Sequence, residues 1–118
     1  MIAVVCAAMA GCGDSVYDRE ARQLTGGDPV VGRYAIAKYG CDTCHTIPGV
    51  RSAAGTVGPP LNQLARRVYL AGRITNTPEN LMRFIREPRS VDEQTAMPST
   101  GVTEQDGRDI AAYLYTLR

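Results

Sequence analysis

Cys41-Asp42-Thr43-Cys44-His45 is the stretch on which the reading of this chain turns. Two thiols stand two residues apart and an imidazole follows directly. That is the C-x-x-C-H pattern of c-type haem attachment. The spacing has a physical reason. Each thiol can form a thioether with one of two neighbouring vinyl groups of a porphyrin, and the next residue is then directed at the iron, which makes His45 the proximal ligand. Other uses of the same residues fit less well. A zinc site needs four ligands, the motif supplies three, and no second pair follows it. A redox C-x-x-C belongs to a βαβ setting, which the sequence does not suggest. A disulfide across so short a loop leaves His45 unexplained.

His45 is the one histidine of the 118 residues, so a sixth iron ligand must be of another type. Of the four methionines, Met1 and Met9 lie in the first residues of the chain. Met82 sits between Leu81 and Phe84 in a helical pattern, where packing is the default. Met97 lies in Thr95-Ala96-Met97-Pro98, between two helical segments. A loop positions a ligand over a cofactor more readily than a mid-helix core residue does, so Met97 is the expected ligand.

Around these residues the pattern is helical. Asp28-Pro29 is an N-cap followed by a first-turn proline, and Val30, Val31, Tyr34, Ile36 and Ala37 supply an apolar face up to Gly40. A Gly- and Pro-rich irregular stretch runs over 46–60, and 61–69 is expected as a short helix. Thr77-Pro78 opens a second clear helix with Leu81, Met82, Phe84 and Ile85 on its apolar face, ended by Pro88. Residues 89–102 read as a loop. Thr103, with Asp106 three residues on, caps a last helix whose stripe is Ile110, Ala111, Tyr113, Leu114 and Leu117. No alternating strand stands out. The class is all-α, one domain by length, with long loops that need something to pack against. One Phe, six Tyr and no Trp make a thin core, and a buried porphyrin supplies the missing large apolar body.

Residues 1–11 carry no charge and are too short to span a bilayer as a helix. They look like a shortened secretory h-region. Met9-Ala10-Gly11-Cys12 resembles the lipobox of bacterial lipoproteins, which makes Cys12 the expected lipidation site. The expected organisation is a leader at 1–11, a lipid-anchored polar tether at 12–27 with a short helical stretch near Tyr17 to Leu24, and a folded domain at 28–118. Thirteen basic against twelve acidic residues argue against a dedicated nucleic-acid binder. Residues 66–89 hold six Arg against two Glu, either a docking face for an acidic partner or a solvated helix face.

From about Asp28 to Arg118 the chain resembles a class I c-type cytochrome. The stretches CHTIPGVRSAAGTVGPPLNQLARR (44–67) and NTPENLMRFIREP (76–88) are especially similar to the cytochrome c domains of bacterial respiratory haem–copper oxidases. The resemblance implies a small fold of three to five helices wrapped around one covalent haem c with His/Met ligation. In Gly58-Pro59-Pro60-Leu61 it implies that the Pro59 carbonyl accepts the proximal histidine N–H. Met97 falls nine residues after Pro88, as the family's ligand methionine does after its helix-ending proline. Gly32, Ile110 and Tyr113 match the family's close helix crossing, where a glycine lets an aromatic ring lie against backbone.

Departures from the pattern bear on tuning. Ile36 replaces a usual aromatic at the crossing. Phe84 replaces a Tyr or Trp near the ligand methionine and cannot donate to its sulfur. Without Trp, a haem propionate falls to Arg73, or to Arg66, Arg67 or Asn76. The implied function is single-electron transfer on the outer, periplasmic face of a bacterial inner membrane, between a quinol-oxidising complex and a terminal oxidase. The chain is then a tethered shuttle or a complex subunit, a carrier and not itself an enzyme. The alternative is a five-coordinate haem enzyme or gas sensor, which the lack of a second histidine supplies poorly.

Overall fold

The computed structural model describes residues 13–118, which form six α-helices, a single 3-10 turn and one small hairpin. Helices α1 (Val16–Thr25), α2 (Pro29–Lys38), α4 (Pro78–Arg86) and α6 (Glu104–Tyr115) make the body. Each begins where a short polar side chain takes an orphan backbone donor. Ser15 and Asp18 cap α1 reciprocally, Asp28 accepts from the Val30 N–H at 2.9 Å, Thr77 from Asn80 at 3.2 Å, and Thr103 from Asp106 at 3.1 Å. Between them lie two one-turn helices, α3 (Cys41–Cys44) and α5 (Pro88–Val91). Strands β1 (Tyr69–Leu70) and β2 (Ile74–Thr75) pair antiparallel, Tyr69 opposite Thr75 and Leu70 opposite Ile74.

The mostly helical class holds, with more helices than three to five and with a hairpin that no alternation announced. Residues 61–69 are not a helix beyond the 3-10 turn at Leu64–Arg66. Gln63 enters the left-handed region at φ 54, and the Asn76 side chain captures the carbonyls of Leu64 and Arg67, both at 2.9 Å. Pro88 does more than end α4. Lacking an N–H, it suits a first helical turn, so it also opens α5 inside the expected loop.

The crossing of α2 and α6 is the centre of the core. A Cβ at Gly32 would lie 1.8 Å from the Asp109 carbonyl oxygen, so α6 runs directly against the α2 backbone. Tyr113 stands one turn further along α6. Its hydroxyl donates to the Pro48 carbonyl at 2.6 Å, over Gly49. The buried face of α2 is Pro29, Gly32, Ala35 and Ile36; of the stripe expected from hydropathy Ile36 is buried, whereas Val30, Val31, Tyr34 and Ala37 are exposed. Small residues face the crossing because only they permit it. Ile36 and Ile110 are each 1 % exposed, so Ile36 fills its place without an aromatic.

Within the segment expected as a tether, Val16–Thr25 form helix α1 and pack on α6. Ala21 and Thr25 of α1 are buried. A Cβ at Gly27 would meet the Arg108 carbonyl at 2.2 Å, and the Asp28 N–H donates to Asp109 Oδ1 at 2.8 Å. Arg118 bonds Glu20 and covers the Tyr17 ring 4.7 Å from its centroid. Polar composition suggested a linker, yet one narrow apolar edge is enough to dock α1 on α6. The expected leader at 1–11 and the lipidation site Cys12 lie outside the described residues.

Candidate functional site

Gly40, at φ 75, turns the chain sharply after α2, and α3 winds Cys41–Cys44 into one turn closed by the His45 N–H on the Cys41 carbonyl at 3.0 Å. Cys41, Cys44 and His45 thereby line one cleft. Both thiols are free and half-buried. Burial, then the neighbouring Asp42 charge, pushes the Cys41 thiol up.

The loop that follows is folded around the imidazole. His45 Nδ1 lies 2.7 Å from the Pro59 carbonyl oxygen. A carbonyl only accepts, so Nδ1 carries the proton and Nε2 keeps its lone pair. Gly58 lies flat on the ring, where a Cβ would come within 2.3 Å of Cε1. The loop is fastened by Gly58 N–H to the Cys44 carbonyl at 2.8 Å and by Leu61 N–H to the Thr46 carbonyl at 2.9 Å. At Gly55 it passes so close over α3 that a Cβ would meet the Thr43 carbonyl at 2.3 Å.

The cleft has a volume of about 330 Å³. Ile36, Ile47, Leu64, Leu81, Ile85 and Ile110 are among its walls, and Phe84 and Met97 also line it. Met82 does not. It borders a separate surface groove with Glu79, Arg83 and Arg86. Of the four residues considered for a propionate, Arg67 alone lines the cleft. Arg73 pairs with Asp92 at 3.4 Å, and the Asn76 side-chain amide is spent on Leu64, Arg67 and Tyr115. Arg83 and Arg86 of the arginine-rich block also bond inward, to Ser90 and to the Val102 carbonyl. Only part of that block is open for docking.

Tyr39 is a lining residue that pattern reading passed over. Its hydroxyl donates to Asp106 Oδ2 at 2.5 Å, and its place just before Gly40 and the Cys motif was the available signal. The donor set suits a haem: two free thiols for covalent attachment, an imidazole with a fixed tautomer, a thioether, and an otherwise apolar enclosure for a flat body. Among the described residues no group of three or more His, Cys, Asp or Glu converges as a metal cage.

No protein-family model matches the chain, and no solved structure matches it. Among curated proteins it is similar to cytochrome c oxidase subunit 2 of Alkalihalophilus pseudofirmus, 33 % identical over 88 residues. The match covers 74 % of this chain and 25 % of that protein, so the chain spans about a quarter of the relative's length. This finding corrects one expectation. The similarity is to a subunit of an oxidase, a component of an enzyme complex, and a carrier standing outside any enzyme is no longer the reading.

Proposed function

We propose that residues 28–118 are a class I cytochrome c domain that passes single electrons within a respiratory haem–copper oxidase assembly. The observation that carries the proposal is the 2.7 Å contact of His45 Nδ1 with the Pro59 carbonyl in a cleft that Cys41, Cys44 and Met97 also line. The likeness to an oxidase subunit supports the setting. Haem c, when bound, would supply a one-electron Fe(III)/Fe(II) couple. The protein's residues do the rest. Cys41 and Cys44 would hold the group by two thioethers, and His45 Nε2 and the Met97 sulfur would be its iron ligands. The apolar walls would exclude water, and Arg67 lines the cleft as a cation for a propionate. With both ligands supplied by the chain no open position would remain, which suits electron transfer over substrate chemistry. The body sits at the outer face of a bacterial inner membrane, held by lipid on Cys12, as part of a terminal oxidase or of an assembly of it with a quinol-oxidising complex.

The test is an absorption spectrum of the full chain produced with cytochrome c maturation. A low-spin spectrum with a far-red methionine-to-iron band, lost in Met97→Ala, is the expected result. A high-spin spectrum that responds to carbon monoxide without a lag would replace this reading with a five-coordinate enzyme or sensor. Mild-detergent purification should bring down an oxidase or quinol-oxidising complex with the chain, and mass spectrometry should find a diacylglyceryl or triacyl group on Cys12.

A further inference from the structure

The carbonyl that orients His45 lies between two backbone fastenings, Gly58 N–H on the Cys44 carbonyl and Leu61 N–H on the Thr46 carbonyl. Pro59 and Pro60 themselves have no backbone N–H and add none by donating. A side chain ties the stretch between. Arg67 Nη2 donates to the Pro60 carbonyl at 2.5 Å and to the Asn62 carbonyl at 3.0 Å, bridging the turn immediately after Pro59. Arg67 is in turn held from behind. Its own carbonyl accepts from Asn76 Nδ2 at 2.9 Å, the same amide donates to the Leu64 carbonyl at 2.9 Å, and Asn76 Oδ1 accepts from the buried Tyr115 hydroxyl at 2.8 Å. The amide therefore uses both donors and its acceptor, which fixes which way it points. Tyr115 stands on α6, the helix at the centre of the core.

The geometry points to Arg67 as a positioning residue for the proximal histidine, with Asn76 and Tyr115 as its anchor. Hydrogen bonds run from Tyr115 through Asn76 to the Arg67 backbone, and from the Arg67 guanidinium to the Pro60 carbonyl. One peptide unit separates that carbonyl from the Pro59 oxygen that His45 Nδ1–H donates to. The strength of the last bond sets how basic the imidazole is toward a metal. The chain thus links a C-terminal helix residue to the electronic character of a ligand it does not touch. A charge-assisted bond from a guanidinium to two carbonyls is the strongest single tie in the series. This inference rests on His45 being the proximal ligand, as proposed above.

The experiment uses the haem-loaded, ¹⁵N-labelled full chain and follows exchange of the His45 Nδ1 proton by NMR, with the reduction potential as a second readout. Arg67→Met should speed exchange about tenfold, the change expected when a hydrogen bond worth roughly 1.4 kcal/mol is lost. Arg67→Lys, which keeps a donor, should restore part of the protection. Tyr115→Phe alters no charge, so a rise in both exchange rate and potential in this variant reports the hydrogen-bond chain and not electrostatics. It also keeps the test decisive where Arg67→Met fails to fold. Unchanged exchange in both Arg67→Met and Tyr115→Phe, even with an altered potential in Arg67→Met, would overturn the proposal and leave Arg67 a charge near the cleft. A wild-type spectrum without imidazole ligation would overturn the functional reading itself, and is seen before any variant is made.

Discussion

Position 58 has room for a hydrogen and nothing larger. In Gly58→Ala the new methyl would lie 2.3 Å from His45 Cε1, 2.6 Å from Nδ1 and 2.8 Å from Nε2, so either the ring or the loop must move. Both moves break the Pro59 contact. The expected outcome is a variant that folds but yields at least about tenfold less low-spin holoprotein, since misplacing a ligand by about an ångström is enough for losses of that order; spectra of matched preparations check it. Much of this site could be read from the chain. The cysteine motif is local, and spacing alone names Cys41, Cys44 and His45. Met97 could be separated from Met82 because one lies in a loop and the other in a helix. That Arg67, and not Arg73, lines the cleft could not be read. It depends on a hairpin that turns Arg73 toward Asp92 and on two carbonyls that draw Arg67 inward, both settled by tertiary contact.

Among the elements, α2 and α6 depend on one another at Gly32. Ala at this position would overlap the Asp109 carbonyl, at 1.8 Å, and no rotamer change relieves a backbone clash. Gly32→Ala should force the helices apart and cost about 3 kcal/mol or more, the upper range for overpacking, seen as a lowered denaturant midpoint with the slope unchanged. The helices that sequence located well are those with a local start: Asp28-Pro29, Thr77-Pro78 and Thr103 each declare an N-cap. The elements it missed have no such signal. The turn at Leu64–Arg66 is held short by Asn76 from another segment, and α5 follows a proline that reads equally as an end or a beginning. On α2 the hydropathy pattern misled because close approach, not apolar area, selects the buried face.

For the molecule as a whole, α6 receives α1, α2, α4 and the 64–67 turn, and its titratable groups therefore report global stability. Tyr39, and then Lys38, bond Asp106 and hold its carboxyl below the usual range. A depressed carboxyl contributes stability that is complete above its unfolded value, about 4, and is lost as pH falls through the folded one. Tyr115 behaves in the opposite sense. Burial, then the Glu79 charge, pushes its phenol up to about 12. Its contribution is complete below an ordinary phenol value of about 10 and is lost as pH rises through the folded one. Thermal unfolding against pH should show a plateau with a fall on each side. Asp106→Asn should blunt the acid arm and Tyr115→Phe the alkaline arm.

The docking of α1 also sets how far the domain can wander. Sixteen extended residues between a lipidated Cys12 and the folded body would reach about 50 Å at roughly 3.3 Å per residue. With Val16–Thr25 packed on α6, a lipid on Cys12 would leave only the residues before Ser15 as a leash, about 10 Å by the same measure. The volume swept falls on the order of a hundredfold, and the local concentration toward a neighbour within reach rises in proportion. A domain held this closely to a lipid anchor would not search a membrane for distant partners by swinging; it would serve whatever stood beside it.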